Sequence, residues 1–365
     1  MINLALHEGV MPLVWRYLES NPQRPIPEPF KRELRFHYHG NALRNKTLWK
    51  ELFRITGLLE DQGIPLIAFK GPVLAASAYG GVAMRQFSDL DILVERSRMP
   101  VVVKLLAGHG FVPERAAIEV VGDEFFQAAE ILFVKSGSAT ALDVHWEMMP
   151  RYFPFLPEAD AMRHRRVRFV CEDGEAPILS PHDQLLMLCV HGTKHGWPSL
   201  GSVADIAAAI RTGIDWPVLL DEATAVGARR MLLLAVALAH ELLGAQVPGF
   251  VLDAAKGDRA VSAMVPRLIS ALFVGSSEAR QPFFNDWMVP LRTIESNRAH
   301  LRYVIDRMFA PTYDDWQFLR LRRPLFPLYY LLRPLRLAIE QAPRLASAAG
   351  LRRAGPAARA AQGPA

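Results

Sequence analysis

Residues 85–94 read Arg-Gln-Phe-Ser-Asp-Leu-Asp-Ile-Leu-Val, and this run constrains the chain more than any other. A strand sends successive side chains to opposite faces, so Asp89 and Asp91 share one face while Leu90, Ile92 and Val94 share the other. Two like charges on adjacent same-face positions repel, and the usual remedies are a divalent cation or neighbouring Lys and Arg. Mg²⁺ (or Mn²⁺) is the natural candidate, because it takes hard oxygen ligands from one or two carboxylates together with substrate phosphates. A plain alternative stays open: an edge strand whose acids face water.

A third acid strengthens the pattern. Ala141-Leu142-Asp143-Val144-His145-Trp146 repeats it, with Leu142 and Val144 on one face and Asp143 and His145 on the other. It follows an expected hairpin in which Phe125 to Lys135 forms a strand and Ser136-Gly137-Ser138 supplies the turn. Asp143 would then stand beside Asp89 and Asp91. Three carboxylates on neighbouring strands can hold two metal ions about 4 Å apart, which clamp the attacking and leaving oxygens of a phosphoryl or nucleotidyl transfer.

These words, together with Phe69-Lys70-Gly71, Arg85 and Leu188-Cys189-Val190-His191-Gly192-Thr193-Lys194-His195-Gly196-Trp197 followed by Asp205-Ile206, resemble the nucleotidyltransferase superfamily of polymerase-beta-like fold. The similarity is to its uncharacterised bacterial group and spans roughly residues 30–215. It implies an α+β fold, with a small mixed β-sheet core, flanking helices and a mainly helical C-terminal part. It also implies Asp89, Asp91 and Asp143 as catalytic metal ligands, and Lys70, Gly71, Arg85 and Ser88 around a nucleoside triphosphate. The expected activity is a transferase of phosphorus-containing groups that moves a nucleoside monophosphate to an acceptor and releases pyrophosphate. A small molecule or peptide is favoured as that acceptor, and nucleic acid is disfavoured.

One position departs from the superfamily pattern. Pro72 follows Gly71 where a glycine or serine is usual, and proline has no N–H to offer a phosphate. Lys70 and Arg85 can substitute as a point charge and a bidentate fork. Pro72 also suits a helix start, so residues 72–80 are expected to begin a helix whose free N–H groups face the phosphates. The competing readings are a solvated strand end for Lys70 and a structural ion pair with Asp89 for Arg85. A scaffold that keeps the fold without turnover is the alternative function, and Pro72 is its best support.

Leu179 to Trp197 carries the signals of a helix, with Ser180 as N-cap, Pro181 in the first turn and Asp183 near the positive end of the dipole. His191 and His195 are spaced for zinc, but the intervening Gly192-Thr193-Lys194 lacks the glutamate of a metalloprotease. His191, Lys194 and His195 either line the cleft beside the acids or form a polar helix face satisfied by Asp205 or backbone carbonyls. His145 falls on the site face, and a general-base role is open to it because imidazole titrates near neutrality. Asp143 is the more conventional base.

With 365 residues, 51% hydrophobic, the chain can bury an ordinary core. The expected division is a helical segment over 1–62, a catalytic core over 63–178, a helical domain over 179–300, a basic aromatic-rich segment over 301–342 and a disordered tail over 343–365. Helices are expected over 3–19, 28–62 and 98–108, helical periodicity over 200–245 and 259–275 is broken by Gly213, Gly227 and Pro248, and strands are expected at 65–69, 111–112 and 167–170. Cys171 and Cys189 show no metal-type spacing. Without a signal-like N-terminus or an apolar run of about 18 residues, a cytoplasmic, bacterial protein is expected.

The positive charge is local. Residues 301–365 hold 11 Arg against 4 acids, a surplus of 7, whereas the whole chain is only +5. Residues 318–338 mix Arg with Leu, Phe and Tyr and suit an anionic membrane surface or an acidic partner, although Pro324, Pro327 and Pro334 oppose one smooth helix. The alternative is a segment lying along the body with its Arg heads in water.

Overall fold

The computed structural model describes residues 1–113, 129–153, 155–273 and 282–348. Seven strands form one mixed sheet: β1 (Leu66–Phe69), β2 (Asp89–Val94), β3 (Phe111–Pro113), β4 (Glu130–Lys135), β5 (Ala141–His145), β6 (Val167–Cys171) and β7 (Gly174–Ile178), in the order β3-β4-β5-β2-β1-β7-β6. β1 and β2 are antiparallel, while β2 runs parallel to β5 and β1 parallel to β7.

Helices α1 (Ile2–His7), α2 (Met11–Ser20) and α3 (Glu28–Glu60) precede the sheet. The expected helix over 3–19 is two helices, because Gly9 adopts φ +72° and packs against Gly201. In α3, Leu48, Leu52, Ile55 and Leu59 recur at helical spacing and are buried. They meet one sheet face, made of Leu66, Ala68, Leu90, Ile92, Val94, Leu142 and Val144. α4 (Gly71–Tyr79) links β1 to β2, and α5 (Met99–Gly108) adds Val102 and Leu106 to the same core.

Next come α6 (Ala159–His164), α7 (Pro181–Lys194), α8 (Leu200–Ala209), α9 (Trp216–Ala225), α10 (Arg229–Leu243), α11 (Gly249–Gly257), α12 (Arg259–Phe273), α13 (Pro282–Thr293) and α14 (Asn297–Phe309). α7 and α10 supply much of a second core, which reaches the opposite sheet face at Ile67, Phe69 and Leu93. The sheet is thus covered on both sides, and the acids of β2 lie on the same side as Leu93.

Several expectations need correction. The helix expected over 179–197 stops at Lys194, because Gly196 (φ +64°) and Trp197 (φ +57°) turn the backbone left-handed. β7 adds a strand beyond those expected: Asp173-Gly174 closes a β6–β7 hairpin that accommodates Pro177. β4 begins at Glu130; the rest of the strand expected from Phe125 lies outside the described residues, as does residue 349 onward of the tail.

After α15 (Tyr313–Phe318) and a 3-10 turn (Arg323–Leu328), α16 runs from Tyr329 to Ala348 straight through Pro334. Only Pro324 and Pro327 interrupt helix, because tertiary anchoring of Tyr329, Arg333 and Arg336 outweighs one missing N–H at position 334. Among the described residues, no helix is long and apolar enough to cross a membrane.

Candidate active site

The register aligns the acids. Asp91 stands opposite Phe69 on one side and Asp143 on the other, and Asp89 is one same-face position earlier on β2. Asp91 is buried, and its Oδ1 receives two partners: Lys70 Nζ at 3.6 Å and His145 Nε2 at 3.2 Å. His145 Nδ1 lies 2.9 Å from Oε2 of Glu130, the residue directly opposite it in the β4–β5 ladder. The contact has the distance of an ion pair without the alignment of a hydrogen bond. The His145 ring also meets the Phe69 ring, with centroids 4.9 Å apart.

The charges sort the three aspartates. Burial, and then the charge of Asp91, pushes Asp143 up to about 7. Burial and Asp91 raise Asp89 in the same direction. Burial acts against Asp91 too, but Lys70, His145 and Arg85 outweigh it and hold the carboxyl below its usual value. Burial opposes the imidazolium of His145, yet its contacts with Asp91 and Glu130 raise it to about 9. Lying between two carboxylates, His145 favours its charged form and is positioned to orient Asp91, whereas the general-base role open to it from sequence calls for the neutral ring. Glu130 is drawn down to about 2 by His145, against its own desolvation. Sequence reading missed Glu130, although counting back along the hairpin from His145 would have placed it there.

Lys70 ends β1 in an unusual conformation, φ 49° and ψ −142°, a left-handed backbone that non-glycine residues rarely adopt. Such strain costs on the order of 1–3 kcal/mol and concentrates at sites where function demands the geometry. Gly71 follows at φ +36°, and a Cβ there would sit 3.0 Å from the Asp89 carbonyl oxygen. Glycine is what lets the start of α4 touch β2. Gly71→Ala is accordingly expected to cost about 1–3 kcal/mol in urea unfolding, and a loss below about 0.5 kcal/mol would show that the close approach is dispensable. α4 starts one residue earlier than expected, with Pro72 in its first turn.

Arg85 is engaged elsewhere. Its Nε and Nη2 each donate to Asp205 of α8 at 2.8 Å, and Tyr79 donates to the same carboxylate at 2.7 Å. The alternative pairing with Asp89 is not the one found. Asp205 in turn is held by Arg85 and Tyr79 rather than by the α7 histidines. Arg85 still favours the charged forms of Asp89 and Asp91 through its field. Ser88 is exposed on the approach to β2.

The end of α7 brings further basic groups to this side. The rings of His191 and His195 lie 4.6 Å apart. Burial, then the charge of Lys70, holds His191 well below its usual value, and burial lowers Lys194, whose charge interacts with Glu130 and Lys70. Lys70 and Glu130 are thus among the charges that act on this turn.

The donor set suits a hard divalent cation in kind: three carboxylates on adjacent strands, two of them raised by burial and by a neighbour's negative charge. Among the described residues, no group of three His, Cys, Asp or Glu is drawn close enough to cage an ion. Lys70 and His145 both hold Oδ1 of Asp91, so coordination through that oxygen requires those contacts to loosen.

A mixed sheet with a glycine turn after its first strand and acids on two parallel neighbours defines a protein of the nucleotidyltransferase kind. The chain belongs to the family described as uncharacterised nucleotidyltransferase, whose model matches residues 1–244. Among solved structures it is similar to the antibiotic-resistance factor ANT(2'')-Ia, at 12% identity and TM-score 0.35, over 54% of this chain and 97% of that one. It is also similar to an antigenic nucleotidyltransferase-like protein from Paracoccidioides brasiliensis, at 11% identity and TM-score 0.36, over 56% and 90% respectively. No curated protein matches the chain.

Proposed function

We propose that this protein is a divalent-cation-dependent nucleotidyltransferase that moves a nucleoside monophosphate from an NTP to an acceptor hydroxyl and releases pyrophosphate. The observation that carries this reading is the register pair Asp91–Asp143, with Asp89 on the same face and Lys70 already on Asp91. Asp89, Asp91 and Asp143 would hold Mg²⁺ (or Mn²⁺), which when bound supplies charge neutralisation at the transferring phosphorus and its two axial oxygens.

The remaining work falls to the chain's own groups. Lys70 exchanges Asp91 for the triphosphate as a point charge, and the N-terminus of α4 presents backbone N–H groups, fewer by the one Pro72 lacks. Ser88 borders the nucleotide. Arg85, fixed by Asp205, acts through its field. His145 and Glu130 hold Asp91 in place. Asp143, the carboxyl poised near neutrality, takes the proton of the acceptor hydroxyl as its oxygen bonds to Pα and the bond from Pα to the β-phosphate oxygen breaks. His191, Lys194 and His195 border the acceptor side, where a small molecule or a peptide fits better than bulk nucleic acid.

Position-specific labelling tests the reaction. Label at the α-phosphate of an NTP should follow the acceptor fraction, with release of pyrophosphate, and the Asp91→Asn variant should not transfer it. Transfer of γ-label instead would mark a kinase. A scaffold without turnover is the second reading, favoured by Pro72 and by the engagement of Arg85 with Asp205; it predicts transfer of neither label.

A further inference from the structure

α16 is built inside out. Arg333 and Arg336, which a surface helix would turn to water, are 4% and 6% exposed and bind Asp315 at 2.9 and 2.6 Å. Leu331, Leu335 and Ile339, which it would bury, are 73%, 56% and 52% exposed. Residues at intervals of four share a helix face, so these three form one outward aliphatic stripe, and Leu328, at the end of the preceding 3-10 turn, is exposed as well. The sequence alternative of a segment packed down with its Arg heads in water thus holds for Arg320, Arg322 and Arg323, whereas Arg333 and Arg336 turn inward. α14, which packs along α16, likewise exposes Leu301, Ile305, Met308 and Phe309.

We propose that this C-terminal surface docks onto an anionic lipid bilayer, laying the Leu331–Leu335–Ile339 stripe among the acyl chains and setting Arg320, Arg322 and Arg323 against the headgroups. Those three arginines are exposed immediately upstream of the stripe, and residues 316–339 contain no acid at all. Asp315 answers the two buried arginines, so the outward charge of the segment is positive. An outward aliphatic stripe beside such charge is the pattern of an interfacial helix rather than a spanning one.

Other occupants fit less well. A second copy of the chain would bring like-charged arginines together. The chain's own residues 349–365 offer a single large apolar side chain, Leu351, and cannot cover the stripe. The family match ends at residue 244, so this surface belongs to the part of the chain outside it.

The test is co-sedimentation of the full-length protein with phosphatidylcholine vesicles, with and without phosphatidylglycerol. The protein should pellet with the phosphatidylglycerol vesicles, and added salt should release it. The combined Leu331→Ser, Leu335→Ser and Ile339→Ser variant and the combined Arg320→Gln, Arg322→Gln and Arg323→Gln variant should each weaken binding at least about tenfold. Wild type that stays in the supernatant with anionic vesicles overturns the proposal, and so does binding that ignores both salt and the arginine variant. A concentration-dependent dimer in light scattering that the leucine variant abolishes would make the occupant a second copy. Should the leucine variant fail to fold, the wild-type, salt and arginine results still decide.

Discussion

Replacing Asp143 by Asn should give a protein at least as stable as the wild type that no longer binds a nucleoside triphosphate with Mg²⁺. In the ligand-free protein the Asp143 carboxyl is pushed up to about 7 by burial and by Asp91. Its ionised form is therefore a cost near pH 8, and an isosteric amide removes it, for a gain of about 1–2 kcal/mol once solvent screening is allowed for. Asp89→Asn should shift stability in the same direction, since burial and Asp91 raise that group too. Asp91→Asn should do the opposite. Its charge answers Lys70 and His145, and losing it leaves two cations facing an amide, at a cost on the order of 3 kcal/mol. Urea unfolding of the three variants measures the split, and equal destabilisation by all three would contradict the charge assignment. This division is what a binding site predicts, because groups arranged for a missing cation lower the stability of the empty fold.

Asp315→Ala should be the most damaging substitution in the C-terminal part, costing about 3–5 kcal/mol. Asp315 accepts from Arg333, Arg336, the Thr312 backbone N–H at 2.7 Å and the Thr312 hydroxyl at 3.0 Å. Without it, the two buried guanidiniums keep, among the described residues, the Thr312 hydroxyl, the Arg307 carbonyl and Glu340. The pH dependence follows in sign. Burial works against the Asp315 carboxylate, but the Thr312 N–H and the two arginines hold it below its usual value. A lowered acid stabilises the fold above the unfolded carboxyl pKa of about 4, and the contribution is lost as the pH falls through the folded value. The gap between wild type and Asp315→Ala should therefore be widest at neutral pH and narrow in acid. A gap unchanged between pH 7 and pH 3 would remove Asp315 from the account.

Much of the sheet was legible because alternation has a period of two and admits one register. Asp89–Val94 and Ala141–His145 each alternate apolar residues on one face with acids on the other, and the structure pairs them as parallel neighbours, with the acids together. The start of α4 was legible from Pro72, which suits a first helical turn. What sequence could not supply was long-range pairing. Nothing local indicates that Arg85 reaches Asp205, 120 residues away, and the sequence alternatives considered only Asp89. β7 was hidden by Pro177 and by the good helix start just after it. The orientation of α16 was not legible for a related reason: hydrophobic pattern gives the period of a helix, and the position of Asp315 decides which face turns inward.

The central claim is that the acid face is a metal-dependent nucleotide site, and thermal stability tests it most directly. The midpoints of wild type and of the Asp89→Asn/Asp91→Asn double variant would be compared with ATP, GTP, CTP and UTP, each with and without Mg²⁺. A ligand that binds only the folded state at a hundredfold excess over its Kd adds about 2.7 kcal/mol. Wild type should therefore melt later with at least one NTP, only when Mg²⁺ is present, and the double variant should not respond. If no NTP shifts wild type with Mg²⁺, or if the double variant responds equally, the acids are not a nucleotide site.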